Sequence, residues 1–112
     1  AALVDVAMVQ DVLFDVELWA DLVPTFETHA RQDIVALRNA TEQNDLDNVR
    51  RVAHKLKGAA SQLGATTLSN LCSTIERQAS GQKKIDSESI NILSAVLDDT
   101  VRVLKTLPLP AN

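Results

Sequence analysis

Apolar residues in this chain recur every three or four positions with polar residues between them, the period of helices that bury one face. Five segments read as helical once that rhythm is combined with start and stop signals. The first is short, from about Asp5 to Phe14. Asp15 caps the second, whose apolar stripe runs Leu18, Leu22, Phe26, Ala30, Ile34 and Leu37 and ends near Asn44. Pro24 should bend that helix or break it near its start. Asp45 caps the third, in which Leu46, Val49, Ala53, Leu56, Ala60 and Leu63 keep the rhythm until Gly64 stops it. The fourth starts near Thr66 or Thr67, turns Leu68, Leu71, Cys72, Ile75 and Ala79 inward, and stops at Gly81. Asp86 or Ser87 caps the fifth, which buries Ile90, Leu93, Leu97, Val101 and Leu104 and ends before Pro108 and Pro110. Short connections between the four long segments force antiparallel neighbours. The expected fold is therefore all-α: an antiparallel up-down-up-down four-helix bundle with a short extra N-terminal helix across one end. Residues 1–112 form a single domain, with 108–112 as a frayed tail.

Composition narrows the picture. A chain of 112 residues, 46% hydrophobic and 23% charged, matches one ordinary globular domain. With 3% aromatic residues, no Tyr and three Gly, an all-β fold is disfavoured. Asp5, Asp11, Asp15, Glu17 and Asp21 interrupt the N-terminal apolar stretch, so no run reaches the length of a membrane span. No cationic residue precedes Arg31, which argues against a signal peptide. Eleven Lys and Arg against fifteen Asp and Glu leave a net charge of −4, the wrong sign for a general nucleic-acid binder. The one cysteine, Cys72, excludes an internal disulfide and a cysteine-rich zinc site, and it falls on an apolar stripe as a buried structural thiol. A start at Ala1 without Met and a proline-containing tail point to a piece cut from a longer protein.

The chemistry gathers in the third segment. At about 100° per residue, His54 points about 130° away from the core direction of its helix, into solvent. Lys57, Gly58 and Ser61 follow at i+3, i+4 and i+7, on the same face. A mid-helix glycine costs about 1 kcal/mol relative to alanine, and Gly58 lies about 170° from the core direction; it opens the imidazole to a bulky partner. Arg50, Arg51, Lys55 and Lys57 surround His54 with no acid between Arg50 and Gly64. A cationic spot on an acidic protein suits an anionic target such as a phosphoryl group. His29, on the second helix, lies about 70° off the core direction, at the edge of the apolar face, and carries no expected chemistry. Paired Glu-x-x-His motifs for a di-iron site and C-x-x-C-H for haem attachment are absent, and two histidines with one cysteine make a metal site improbable.

The run from His54 to Ala65, followed by Leu68, Cys72 and Glu76, resembles the histidine-containing phosphotransfer domains of bacterial and fungal phosphorelays. Their H-x-L-K-G pattern and later Gly-Ala turn are met by His54, Leu56, Lys57, Gly58, Gly64 and Ala65, while Ala59 stands where a serine is common. The resemblance implies a four-helix bundle whose His54 takes a phosphoryl group from the aspartyl-phosphate of a response-regulator receiver and passes it to another receiver. Glu76 falls where such domains carry an acid or amide that bonds the imidazole. Lys57 would offset phosphoryl charge, Lys55 would help at longer range, and Arg50, Arg51, Ser61 and Gln62 would form the docking face. No cofactor of its own is implied: Mg²⁺ is expected on the partner receiver, and no kinase activity, nucleic acid or membrane contact is expected. A monomer in the cytoplasm is implied, free or tethered to the inner membrane as the C-terminal domain of a hybrid sensor kinase. Two other readings remain: the phospho-accepting domain of a chemotaxis-type kinase, and a docking bundle in which His54 is incidental.

Overall fold

A computed structural model of the chain describes residues 3–9 and 16–107. Among the described residues it contains no strand and four α-helices: α1 (Val16–Glu42), α2 (Leu46–Gln62), α3 (Thr66–Ser80) and α4 (Ser87–Leu104). These are the four long segments of the apolar rhythm. Asp45 caps α2 by accepting from the Asn48 N–H at 3.2 Å, and Asp86 caps α4 by accepting from the Glu88 N–H at 3.0 Å. The cap expected at Asp15, the second half of the short first helix and the tail at 108–112 lie outside the described residues. Of that first helix the structure describes a single 3-10 turn, Val6–Val9, whose Ala7 N–H bonds to Asp5 Oδ1.

Three helices end alike. The N–H two residues beyond the cap reaches back to the carbonyl of the last turn, and the residue between adopts a left-handed backbone. Ala65 donates to Ala60 O at 2.9 Å around Gly64 (φ 68°), and Asp45 donates to Ala40 O around Asn44 (φ 54°). At the end of α3, Lys83 donates to Gln78 O around Gln82 (φ 59°). The left-handed residue there is Gln82, one position after the glycine expected to stop the helix; Gly81 itself keeps φ −82°. Helix α1 likewise closes at Glu42, with Asn44 as its turn residue.

Each helix packs on its neighbour in the chain, and α4 packs back on α1, closing a ring around one core. The stripes expected for α2, α3 and α4 are buried, with Leu46 and Leu71 only half-covered at the margins. Helix α1 departs from its expected stripe at the start. Trp19 is 2% exposed and Val23 is buried, whereas Leu18 is 44% exposed and Leu22 half-covered. Steps of four residues advance about 400°, so a stripe drawn 18, 22, 26, 30 drifts by about 40° per step and leaves Leu18 about 100° from the core direction. The alternation 19, 23, 26, 30, 34, 37 does not drift. Trp19 also donates from its indole N–H to Leu104 O at 3.0 Å, satisfying a carbonyl at the end of α4. Pro24 does not break the helix; α1 runs through it, with the ring exposed.

The segment before α1 covers the α2–α3 turn. Val4 is buried and the Asp5 N–H bonds to Gly64 O at 2.7 Å. The turn that follows the His54 helix is thereby held from outside.

Candidate functional site

His54 sits midway along α2 with its side chain 67% exposed, as the helical arithmetic requires. Its core-facing neighbours Ala53 and Leu56 are fully buried, which fixes the rotation of the helix. The imidazole is held by Glu76 of α3, whose Oε2 lies 2.6 Å from Nδ1. The other carboxylate oxygen of Glu76 accepts from Lys57 Nζ at 2.6 Å. Lys57, one turn after His54, holds the Glu76 carboxyl below the usual carboxylate range; the His54 contact adds to this, and partial burial opposes it. Glu76 is therefore ionised at neutral pH and accepts hydrogen bonds only. Nδ1 must carry the proton that bonds to it, which leaves the Nε2 lone pair of the neutral ring facing out.

Gly58 leaves the space beside the ring open: a Cβ added there would meet no atom within 4 Å. The glycine is thus not required by a close helix contact. Three residues further on, Ser61 shares a hydrogen bond with Ser69 of α3 at 2.8 Å, and Ser69 Oγ reaches Lys57 O at 3.5 Å. These bonds tie the C-terminal half of α2 to α3.

The local charge differs from the linear reading in one respect. No acid interrupts α2 between Arg50 and its end, yet two carboxylates arrive from neighbouring helices, Glu76 on Lys57 and Asp33 of α1 on Lys55 at 3.3 Å. Periodicity within one helix carries no information about the helices beside it. Asp33 was signalled only by its place beside Ile34, an acid near the apolar face of α1. Arg50, Arg51, Ser61 and Gln62 are exposed on α2. A groove of about 450 Å³ runs between α1 and α2, with Leu22, Phe26, Ala59 and Leu63 in its wall and Asp33 and Lys55, the residue after His54, among its polar members. Gln62 and the exposed His29 also border it. Cys72 lies buried in α3, its thiol pushed up to about 12 by burial, with the charges of Asp33 and Glu76 adding to the effect. It stays a protonated packing residue. Among the described residues no three His, Cys, Asp or Glu side chains gather as metal ligands.

The family model of the Hpt domain matches residues 21–106, most of the chain and all of this site. The chain belongs to the Hpt domain family. No curated protein is a significant match. Among solved structures, this Hpt domain is similar to histidine-containing phosphotransfer protein B from Pseudomonas aeruginosa PAO1. The TM-score is 0.84 at 21% identity, over 95% of this chain and 94% of that one. At that identity the likeness speaks for the fold, the all-helical arrangement described above. No helix among the described residues is long and apolar enough to cross a membrane.

Proposed function

We propose that this Hpt domain is a phosphorelay intermediate in which His54 receives a phosphoryl group from the aspartyl-phosphate of one receiver domain and delivers it to the aspartate of another. The observation that carries the reading is the Nδ1–Glu76 bond at 2.6 Å beneath a ring that is otherwise open to solvent. The Nε2 lone pair attacks phosphorus, the P–O bond to the aspartate breaks, and the carboxylate leaves with its electron pair. The ring then carries both the Nδ1 proton and the phosphoryl group and becomes cationic. Glu76 stabilises that charge where it develops, without gaining or losing a proton. Attack by the second aspartate reverses each step. Lys57, anchored on Glu76, lies one turn from the ring and offsets charge on the phosphoryl oxygens.

The Mg²⁺ of the transfer comes with the receiver's carboxylates, because both acids at this site are engaged by lysines. Arg50, Arg51, Ser61 and Gln62 form the surface on which a receiver docks, and the short links at 43–45, 63–65 and 81–86 give the bundle its up-down-up-down order. The chain works as a monomer in the cytoplasm, alone or joined to a hybrid sensor kinase, and has no kinase activity of its own.

Incubation with a phosphorylated receiver should label His54 with an acid-labile, base-stable phosphoryl group. His54→Gln should abolish the label and leave the unfolding free energy from a urea melt within about 0.5 kcal/mol of wild type, because an exposed helical site contributes little to stability. Labelling of the variant at the normal level would overturn the proposal. Labelling of the wild type by an ATP-bound kinase domain but by no phosphorylated receiver would make it a chemotaxis-type acceptor.

A further inference from the structure

Among the described residues Asp33 is the one charged side chain that the core buries, at 6% exposed. It is asymmetrically paired. Lys55 Nζ lies 3.3 Å from Asp33 Oδ1, but the lysine side chain is 64% exposed. A buried carboxylate is unfavourable unless a cation compensates it, and for stability alone a well-packed apolar residue in its place often does as well or better. The pair therefore calls for a second account, and its position supplies one. Lys55 follows His54 directly in the chain, and its four-carbon stem is long enough to lay the ammonium across the face that a partner meets. Asp33 draws it instead toward α1, into the groove beside the site. On the other flank Glu76 does the same to Lys57 at 2.6 Å. Both lysines next to the histidine are thus matched one to one by carboxylates from the two neighbouring helices, and the positive potential of the face is smaller than the composition of α2 suggests.

Potential at a docking face governs how fast an oppositely charged partner arrives and how strongly salt slows it. We infer that Asp33 is a specificity-determining positioning residue: it holds Lys55 against α1 and so limits the attraction of the His54 face for acidic receiver surfaces, without itself touching the phosphoryl group. The inference rests on the relay reading of His54. Its consequence is selectivity, since a weakly attractive face gives a receiver with well-matched contacts an advantage over one that is merely acidic.

The test is the rate of phosphoryl transfer from a phosphorylated receiver to the full chain, followed against chain concentration in low and moderate salt. Asp33→Asn should raise kcat/KM several-fold in low salt through KM, leave the plateau rate alone and steepen the salt dependence, while Asp33→Glu should restore wild-type values. Lys55→Gln should flatten the salt dependence, and Asp33→Asn added to Lys55→Gln should bring no gain. Circular dichroism and a urea melt confirm that each variant is folded. If Asp33→Asn does not fold, Lys55→Gln decides alone, and a salt dependence equal to wild type overturns the inference. A folded Asp33→Asn chain with wild-type KM and salt slope also overturns it. So does a gain that survives in the Lys55→Gln background, because the charge of Asp33 would then act at a distance rather than through the lysine. A wild-type chain that takes no label from any receiver strikes the relay reading instead, which keeps the two failures apart.

Discussion

A neutral imidazole exists in two tautomers, and at His54 the choice is made by an acid on another helix. Glu76 accepts a hydrogen bond from Nδ1–H and is itself kept ionised chiefly by Lys57. The three residues therefore work as a chain in which Lys57 has two roles, on the phosphoryl oxygens and on the acid that orients the ring. Lys57→Ala should slow single-turnover transfer by roughly 10- to 1000-fold, the range for loss of one electrostatic donor. Glu76→Ala should slow it as well and should mix the two tautomers, which the imidazole ¹⁵N shifts of His54 report. Transfer within a factor of two of wild type in Lys57→Ala would make Lys57 a surface lysine. At this scale the sequence was most informative where all partners share one helix: His54, Lys57 and Gly58 fall on one face by counting alone. Glu76 came from a family resemblance. The Asp33–Lys55 pair was not legible, because nothing in the spacing of α2 tells which acids α1 presents to it.

Along an element, the cost of a glycine and the space around it separate two explanations of Gly58. The open position of its missing Cβ means that a side chain there meets solvent and not a neighbouring helix. Gly58→Ala should therefore raise the stability of α2 by up to about 1 kcal/mol, since alanine is the better helix former. Gly58→Gln should keep or raise the urea midpoint while blocking receiver docking one turn from the histidine. A Gln variant that is destabilised yet transfers normally would show that the position serves packing. Helices α2, α3 and α4 were readable because each carries a stripe that does not drift, bounded by Asp45, Gly64 and Asp86. The start of α1 was not. Leu18, Trp19, Leu22 and Val23 offer two competing stripes, of which the one through Leu18 and Leu22 drifts off the core direction, and the Trp19 indole also donates to the Leu104 carbonyl, a partner that no local spacing shows. Pro24 brings no break because it stands on the exposed side of a long helix, where packing on α2 and α4 outweighs one lost backbone bond.

For the whole molecule, carboxylates join helices that the apolar core already brings together, and this ties stability to pH. Glu27 of α1 meets Lys105, just beyond α4, at 3.1 Å and Arg31 at 2.9 Å, and Arg31 reaches on to Asp98 of α4 at 2.8 Å. Lys105 first and Arg31 second hold the Glu27 carboxyl below its ordinary value, against a smaller opposing effect of burial. Glu76 behaves likewise between α2 and α3. A carboxyl whose folded value is depressed stabilises the fold at every pH above its unfolded value near 4.5, and that contribution is lost as pH falls through the lower folded value. Stability should accordingly be level from neutral pH to about 5 with respect to these two groups and decline below it. The pairs are half in water, with Lys105 and Arg31 both largely exposed, so each link is worth at most about 1 kcal/mol and less in high salt. Glu27→Gln should lower the urea midpoint slightly at pH 7, flatten part of the decline below pH 5, and leave transfer through His54 unchanged, because Glu27 lies on the α1–α4 side of the ring of helices. Glu76→Gln should flatten the same decline and slow transfer as well. Melts at several pH values, followed by the fluorescence of Trp19, the one tryptophan in the chain, measure the first effect. An acid decline equally steep in wild type and in both variants would show that neither link contributes, and the pH dependence would then belong to other carboxylates.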